Sequence, residues 1–132
     1  RVLRVAAYDE VERLVRERIR EQLIDGTTVD VSFERRRPPL EATDESRALA
    51  AHAQSIYGEI DRRLTVSDQA AGGGTDAAFA ALESDAPVIE GFGLIGFGAH
   101  SDARESVDLR SIVPRLYLLT RMVMDVGQGR TP

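Results

Sequence analysis

Two groups of residues in this chain carry side chains that could do chemistry. The first is the stretch PVIEGFGLIGFGAHSD, in which glycines at 91, 93, 96 and 98 lead to His100, with Asp102 and Glu105 close behind. The second is the basic cluster Glu34-Arg35-Arg36-Arg37, a local site for an anion in a chain of net charge −5. A glycine-rich loop allows the backbone to approach a ligand or another segment closely, and here it ends by presenting an imidazole. Zinc takes three or four ligands, and His100, even with Asp102 beside it, supplies too few alone. A hydrogen-bonded surface histidine fits the local sequence at least as well.

Gly91, Gly93 and Gly96 also spell G-x-G-x-x-G. A dinucleotide turn requires that string to follow a strand and to open a helix whose free N–H groups meet the pyrophosphate. The string is followed instead by Phe97, Gly98, Ala99 and His100, and the next convincing helix starts near Asp108. No Asp or Glu lies between Leu109 and Met124 to hold a ribose. Nucleotide binding is therefore a minor alternative, testable by cofactor titration.

The elements that must position these residues are read from the apolar spacing. The chain has 132 residues, 42% hydrophobic and 30% charged, with no cysteine. Such a composition suits a globular domain and excludes disulfides, thiolate metal sites and cysteine nucleophiles. No apolar run approaches the roughly 18 residues of a membrane span, and the acidic balance argues against nucleic acid as a partner. The opening Arg1-Val-Leu-Arg-Val reads as the middle of a strand, so we expect a chain cut from something larger and leave the compartment open between cytoplasmic and periplasmic or secreted.

After that strand, YDEVERLVRERIREQLIDG spaces Val11, Leu14, Val15 and Ile19 as a helix, and TTVDVSFERRR alternates as a strand through Val29, Val31 and Phe33. Residues 1–37 thus read β-α-β, an unfinished unit. DESRALAAHAQSIYGEIDRRL is expected to be a helix of about five turns with an alanine-rich face against a sheet. His52 lies inside it with no motif around it, as an ordinary packed or exposed histidine would. GGGTDAAFAALES reads as a glycine turn into a short helix capped near Thr75 or Asp76, and APVIEGF as a buried strand. The last helix, capped by Asp108 and stopped by Gly127, places Leu116, Leu119, Thr120 and Val123 in register, with Pro114 in its tolerant early turns.

Taken together, GGGTDAAFAAL, PVIEGFGLIGFGAHSDARESVD and the closing apolar helix resemble the C-terminal segment of bacterial glutamate carboxypeptidases. These are co-catalytic di-zinc enzymes of the family that also holds aminoacylase, acetylornithine deacetylase and succinyl-diaminopimelate desuccinylase. The resemblance runs with little gapping over about the last 60 residues, and more weakly over the first 40, through Leu3-Arg4 and Arg37-Pro38. It implies an α/β fold, with residues 1–40 as the second half of a ferredoxin-like lid and dimerisation domain and residues 41–132 as the C-terminal part of the catalytic domain.

The implied activity is hydrolysis of an amide next to a free, glutamate-like C-terminal residue, in a peptide or N-acyl amino acid. Two zinc ions would activate water and polarise the carbonyl, while a glutamate moves the proton to the leaving amine. On this resemblance His100 is the last zinc ligand, and Asp102 or Glu105 is a candidate acceptor for its other ring nitrogen. Gly73, Gly74 and Thr75 would line the substrate pocket, with Asp76 holding that loop. Arg37 and Arg4 would recognise the substrate carboxylate, for which a planar guanidinium fork is suited; the alternative for both is a solvated strand edge or face.

The remaining zinc ligands, the catalytic glutamate and a lid histidine expected from the partner subunit have no counterpart here. The isolated chain is thus expected to bind zinc weakly and to hydrolyse nothing. A homodimer through the lid is the implied assembly. A non-catalytic dimerisation module of the same fold is the alternative reading.

Overall fold

The computed structural model describes residues 2–21, 23–69 and 74–132. The chain divides into two compact units, one of Arg1–Ala42 with Asp68–Val88 and one of Thr43–Ser67 with Ile89–Pro132. Among the described residues the architecture is helix-rich with one small two-stranded sheet.

In the first unit, helix α1 spans Ala7–Arg18, with Asp9 and Glu10 in its first turn and Arg16 and Arg18 in its last. Acids near the N-terminus and bases near the C-terminus complement the helix dipole. Arg13–Glu17 and Glu12–Arg16 add exposed ion pairs one turn apart, each at 2.9 Å. The segments on either side do not become the strands that their alternation suggests: among the described residues neither 2–5 nor 28–36 joins a ladder. A strand is held by the N–H and C=O groups of a neighbour, and an alternating sequence without a paired neighbour does not supply them.

The second segment packs through side chains instead. The Arg16 guanidinium sits 5.7 Å from the Phe33 ring centre and that of Arg35 sits 5.5 Å from the Tyr8 ring centre. Pro38 and Pro39 are buried. Helix α2, Asp44–Gly58, belongs to the second unit. Helix α3, Asp76–Glu83, belongs to the first and is capped by Thr75, whose hydroxyl accepts from the Ala77 N–H at 3.2 Å; Ala78 is its buried contact.

The second unit is built on two helices. The capping box of α2 is complete: the Thr43 hydroxyl accepts from the Ser46 N–H at 3.1 Å, and the Ser46 hydroxyl accepts from the Thr43 N–H at 2.8 Å. The helix stops at Gly58 rather than running on to Leu64. The chain reverses through Asp61 at φ 54°, and Leu64 folds back onto the core, where its carbonyl accepts from Gln54 Nε2 at 3.0 Å.

A hairpin follows, β1 (Gly96–Phe97) against β2 (Ser106–Val107), antiparallel with Gly96 opposite Val107. A 3-10 turn at Leu109–Ser111, capped by Asp108, then leads into helix α4, Ile112–Gly127. The expected strand at APVIEGF does not form: its Ile89 and Phe92 pack as single side chains against the helical core.

That core joins Leu49, Ala53, Ile56 and Tyr57 of α2 to Leu118 and Met122 of α4. The alanine-rich face of α2 therefore packs on a helix, not on a sheet. Ala53 is fully buried there, and its small side chain lets the helices approach closely. Among the described residues Ile56 and Leu118 are the largest fully buried side chains, each contributing about 1.5–3 kcal/mol. The buried face of α4 is also not the expected one: Leu118, Met122 and Asp125 point inward, whereas Leu116, Leu119, Thr120 and Val123 are exposed. Helix α4 is apolar around most of its circumference, so spacing alone does not choose the face that meets α2.

Asp125, 3% exposed, holds the end of this helix pair. Its carboxylate accepts from Arg130 Nη2 at 2.6 Å and lies 2.9 Å from His52 Nε2 and 3.8 Å from Arg121 Nη2. Arg121 also reaches Glu59, which accepts from the Tyr117 hydroxyl. His52 is thus a structural tie between α2 and α4. The Arg130 guanidinium first, and then His52, hold the Asp125 carboxyl below its usual range, against the opposing effect of burial.

A depressed folded-state pKa means that the stabilisation is complete above the pKa of an unfolded aspartate, about 3.9, and is lost as pH falls through the lower folded value. Asp125→Asn is accordingly expected to lower the urea midpoint at pH 7, with a difference from wild type that shrinks near pH 3. A difference that stays constant between those two values would rule out this role for the charge.

Candidate functional site

His100 owes its place to a hairpin loop tied at its base. The ladder of β1 and β2 closes the stem, and the Asp108 N–H donates to the Ile95 carbonyl at 2.8 Å. The Ile95 N–H donates to the Ser111 hydroxyl at 3.0 Å, which fixes the stem to the start of α4. Asp108 caps the intervening turn through its side chain, accepting from the Arg110 N–H at 3.0 Å, and Arg110 holds that carboxyl below its usual range. The hairpin thus rests on the helix that shares the core with α2.

Inside the loop the Ser101 N–H donates to the Gly98 carbonyl at 3.0 Å, and the Glu105 N–H donates to the Ser101 carbonyl at 3.1 Å. Gly98 has φ 65°, and a Cβ there would lie 2.5 Å from the Arg104 carbonyl oxygen. The positive φ favours glycine, and the clash demands it. His100 itself has φ 65°, in the left-handed region that non-glycine residues enter at a cost. Its imidazole is exposed, as are Asp102 and Glu105, and no hydrogen bond joins it to either among the described residues. The G-x-G-x-x-G string runs into a hairpin, not a helix, which is not the geometry of a dinucleotide turn.

The three consecutive arginines go to three places. Arg35 turns onto α1 and donates from Nη2 to Asp9 at 2.6 Å and to Glu12 at 3.2 Å. Arg36 pairs with Glu34 at 2.7 Å. Arg37 reaches the loop ahead of α3: its Nη1 lies 3.4 Å from the Gly74 carbonyl oxygen and 3.7 Å from Asp76 Oδ1. A Cβ on Gly74 would fall 2.5 Å from Arg37 Cδ, so the glycine makes room for the arginine stem.

Arg37, Gly74 and Asp76 are thereby brought together within the first unit, while His100, Asp102 and Glu105 share the hairpin loop of the second. Arg4 is exposed, with its carbonyl accepting from the Ala7 N–H. Gly73 lies outside the described residues. Tyr8, which no sequence signal singles out, belongs with Arg37: its hydroxyl donates to the Arg37 carbonyl at 2.8 Å. No local motif marks a tyrosine 29 residues before its partner.

Among the described residues no group of three or more His, Cys, Asp or Glu side chains could hold a metal ion. His100 suits one position of a zinc site, as an accessible imidazole on an anchored loop. The other donors are not supplied by these residues. No described helix is long and apolar enough to cross a membrane.

The chain belongs to Peptidase family M20/M25/M40, which matches residues 4–125. Among curated proteins it is similar to Carboxypeptidase G2 of Pseudomonas sp. (strain RS-16), with 41% identity over 123 residues. That alignment covers 93% of this chain and 29% of the relative, so the chain spans less than a third of the length of the curated protein it matches.

Proposed function

We propose that these residues serve a zinc-dependent carboxypeptidase that hydrolyses the amide bond before a free, glutamate-like C-terminal residue of a peptide or N-acyl amino acid. The observation that carries this reading is the family match over residues 4–125, together with 41% identity to a carboxypeptidase. Zinc, when bound, would activate water and polarise the scissile carbonyl. His100 would be one of its ligands, with Asp102 or Glu105 available to fix its tautomer. Gly73, Gly74 and Thr75 would line the pocket, Asp76 would hold that loop, and Arg37, with Arg4, would grip the substrate carboxylate through paired hydrogen bonds. Residues 1–40 would form part of a lid through which two copies pair, and 41–132 part of the catalytic domain.

The accessible Arg37 guanidinium beside Gly74 supports the carboxylate role. Release of glutamate from an N-acyl glutamate by the full-length protein, lost on chelation and restored by zinc, is the expected result. Metal-independent hydrolysis, or none with zinc supplied, would overturn the reading. Arg37→Ala should raise KM for that substrate about tenfold or more with kcat nearly unchanged, because it removes binding shared by ground and transition states. Unaltered steady-state kinetics would remove Arg37 from the site.

A further inference from the structure

We propose that Tyr8 is a positioning residue for carboxylate recognition, holding Arg37 so that one edge of its guanidinium faces the ligand; this rests on the function proposed above. The backbone of Arg37 is fixed from two sides. Its carbonyl accepts from the Tyr8 hydroxyl at 2.8 Å, and Pro38, buried with Pro39, restricts the preceding residue to extended backbone.

Tyr8 is itself held. It lies on α1, and its ring is stacked under the Arg35 guanidinium at 5.5 Å, which Asp9 and Glu12 on the same helix anchor in turn. Arg35 is thus engaged in fixing the tyrosine, while Arg37 reaches the Gly74 loop.

The guanidinium of Arg37 is oriented as well. Both of its contacts, to the Gly74 carbonyl at 3.4 Å and to Asp76 at 3.7 Å, use Nη1, while its stem fills the space that a side chain at Gly74 would occupy. Among the described residues no hydrogen bond or ion pair engages Nε or Nη2, and the side chain is 58% exposed. The Nε–Nη2 edge is one that takes a carboxylate with two parallel hydrogen bonds. The ligand class is therefore a planar carboxylate approaching that edge, and Tyr8 sets where the edge lies. Positioning of this kind lowers the cost of binding by removing freedom the ligand would otherwise have to freeze.

The test is a double-mutant cycle in the zinc-loaded full-length protein, with N-acyl glutamate as substrate. Tyr8→Phe keeps the ring beneath Arg35 and removes only the hydroxyl. It is expected to raise KM about two- to tenfold with kcat unchanged, and to have no further effect once Arg37 is alanine. If Arg37→Ala raises KM while Tyr8→Phe does not, the positioning role is overturned and carboxylate recognition stands. If the two effects simply add, or if Tyr8→Phe lowers kcat and leaves KM alone, Tyr8 acts by another route and the inference is wrong. If Arg37→Ala leaves KM unchanged, carboxylate recognition by Arg37 fails, and the role of Tyr8 falls with it.

Discussion

His100→Ala in the metal-loaded full-length protein is expected to remove one of two zinc ions and to lower kcat by more than about 100-fold. Residues that only support a metal ligand typically cost about 10- to 100-fold when replaced, so loss of a ligand itself should exceed that range. The fold should survive the change. His100 is exposed at the tip of its loop, and no side-chain contact with the core of Leu49, Ile56, Leu118 and Met122 depends on it. Zinc content and turnover should therefore fall while the melting temperature of the metal-free protein stays close to wild type. A variant with two zinc ions and full activity would exclude His100 from the metal site.

Gly98→Ala should damage the same function through the backbone. Alanine at φ 65° is strained by about 1–3 kcal/mol. Its Cβ would also lie 2.5 Å from the Arg104 carbonyl oxygen and 2.9 Å from the carbonyl carbon, so the loop must shift. Displacing a reacting group by about 1 Å can cost about 100-fold. A lower Tm and a fall in kcat toward that size are expected, with Gly93→Ala as the control. A Cβ added at Gly93 would meet no atom within 4 Å, and the backbone there has no positive φ, so this replacement should change little. Wild-type Tm and turnover for Gly98→Ala would mean that this loop conformation does not hold the histidine in place.

The sequence made some of this legible through local signals. Thr75 as a cap, Asp108 as the start of the last helical segment, and glycines leading to a presented histidine are decided by neighbours a few residues apart. What depended on distant partners was not legible. The alternation of Val29, Val31 and Phe33 states which side chains share a face, but not whether another strand lies alongside. Helix α4 carries apolar residues on several faces, and only the partner helix selects Leu118 and Met122 over Leu119 and Val123.

The same limit applied to the sites. His52 meets Asp125 from 73 residues away, and Tyr8 meets Arg37 across 29. Arg35, Arg36 and Arg37 look alike in sequence, yet α1, Glu34 and the Gly74 loop give each a separate task. The resemblance to glutamate carboxypeptidases pointed to His100 and Arg37. It could not reveal what holds Arg37.

The most direct test is an anomalous difference map, recorded at the zinc edge, from crystals of the zinc-loaded full-length protein. If His100 is a metal ligand, a zinc peak is expected about 2.0–2.1 Å from one of its ring nitrogens, the ordinary zinc–imidazole distance. Zinc bound elsewhere, with the His100 imidazole free in solvent, would contradict that assignment.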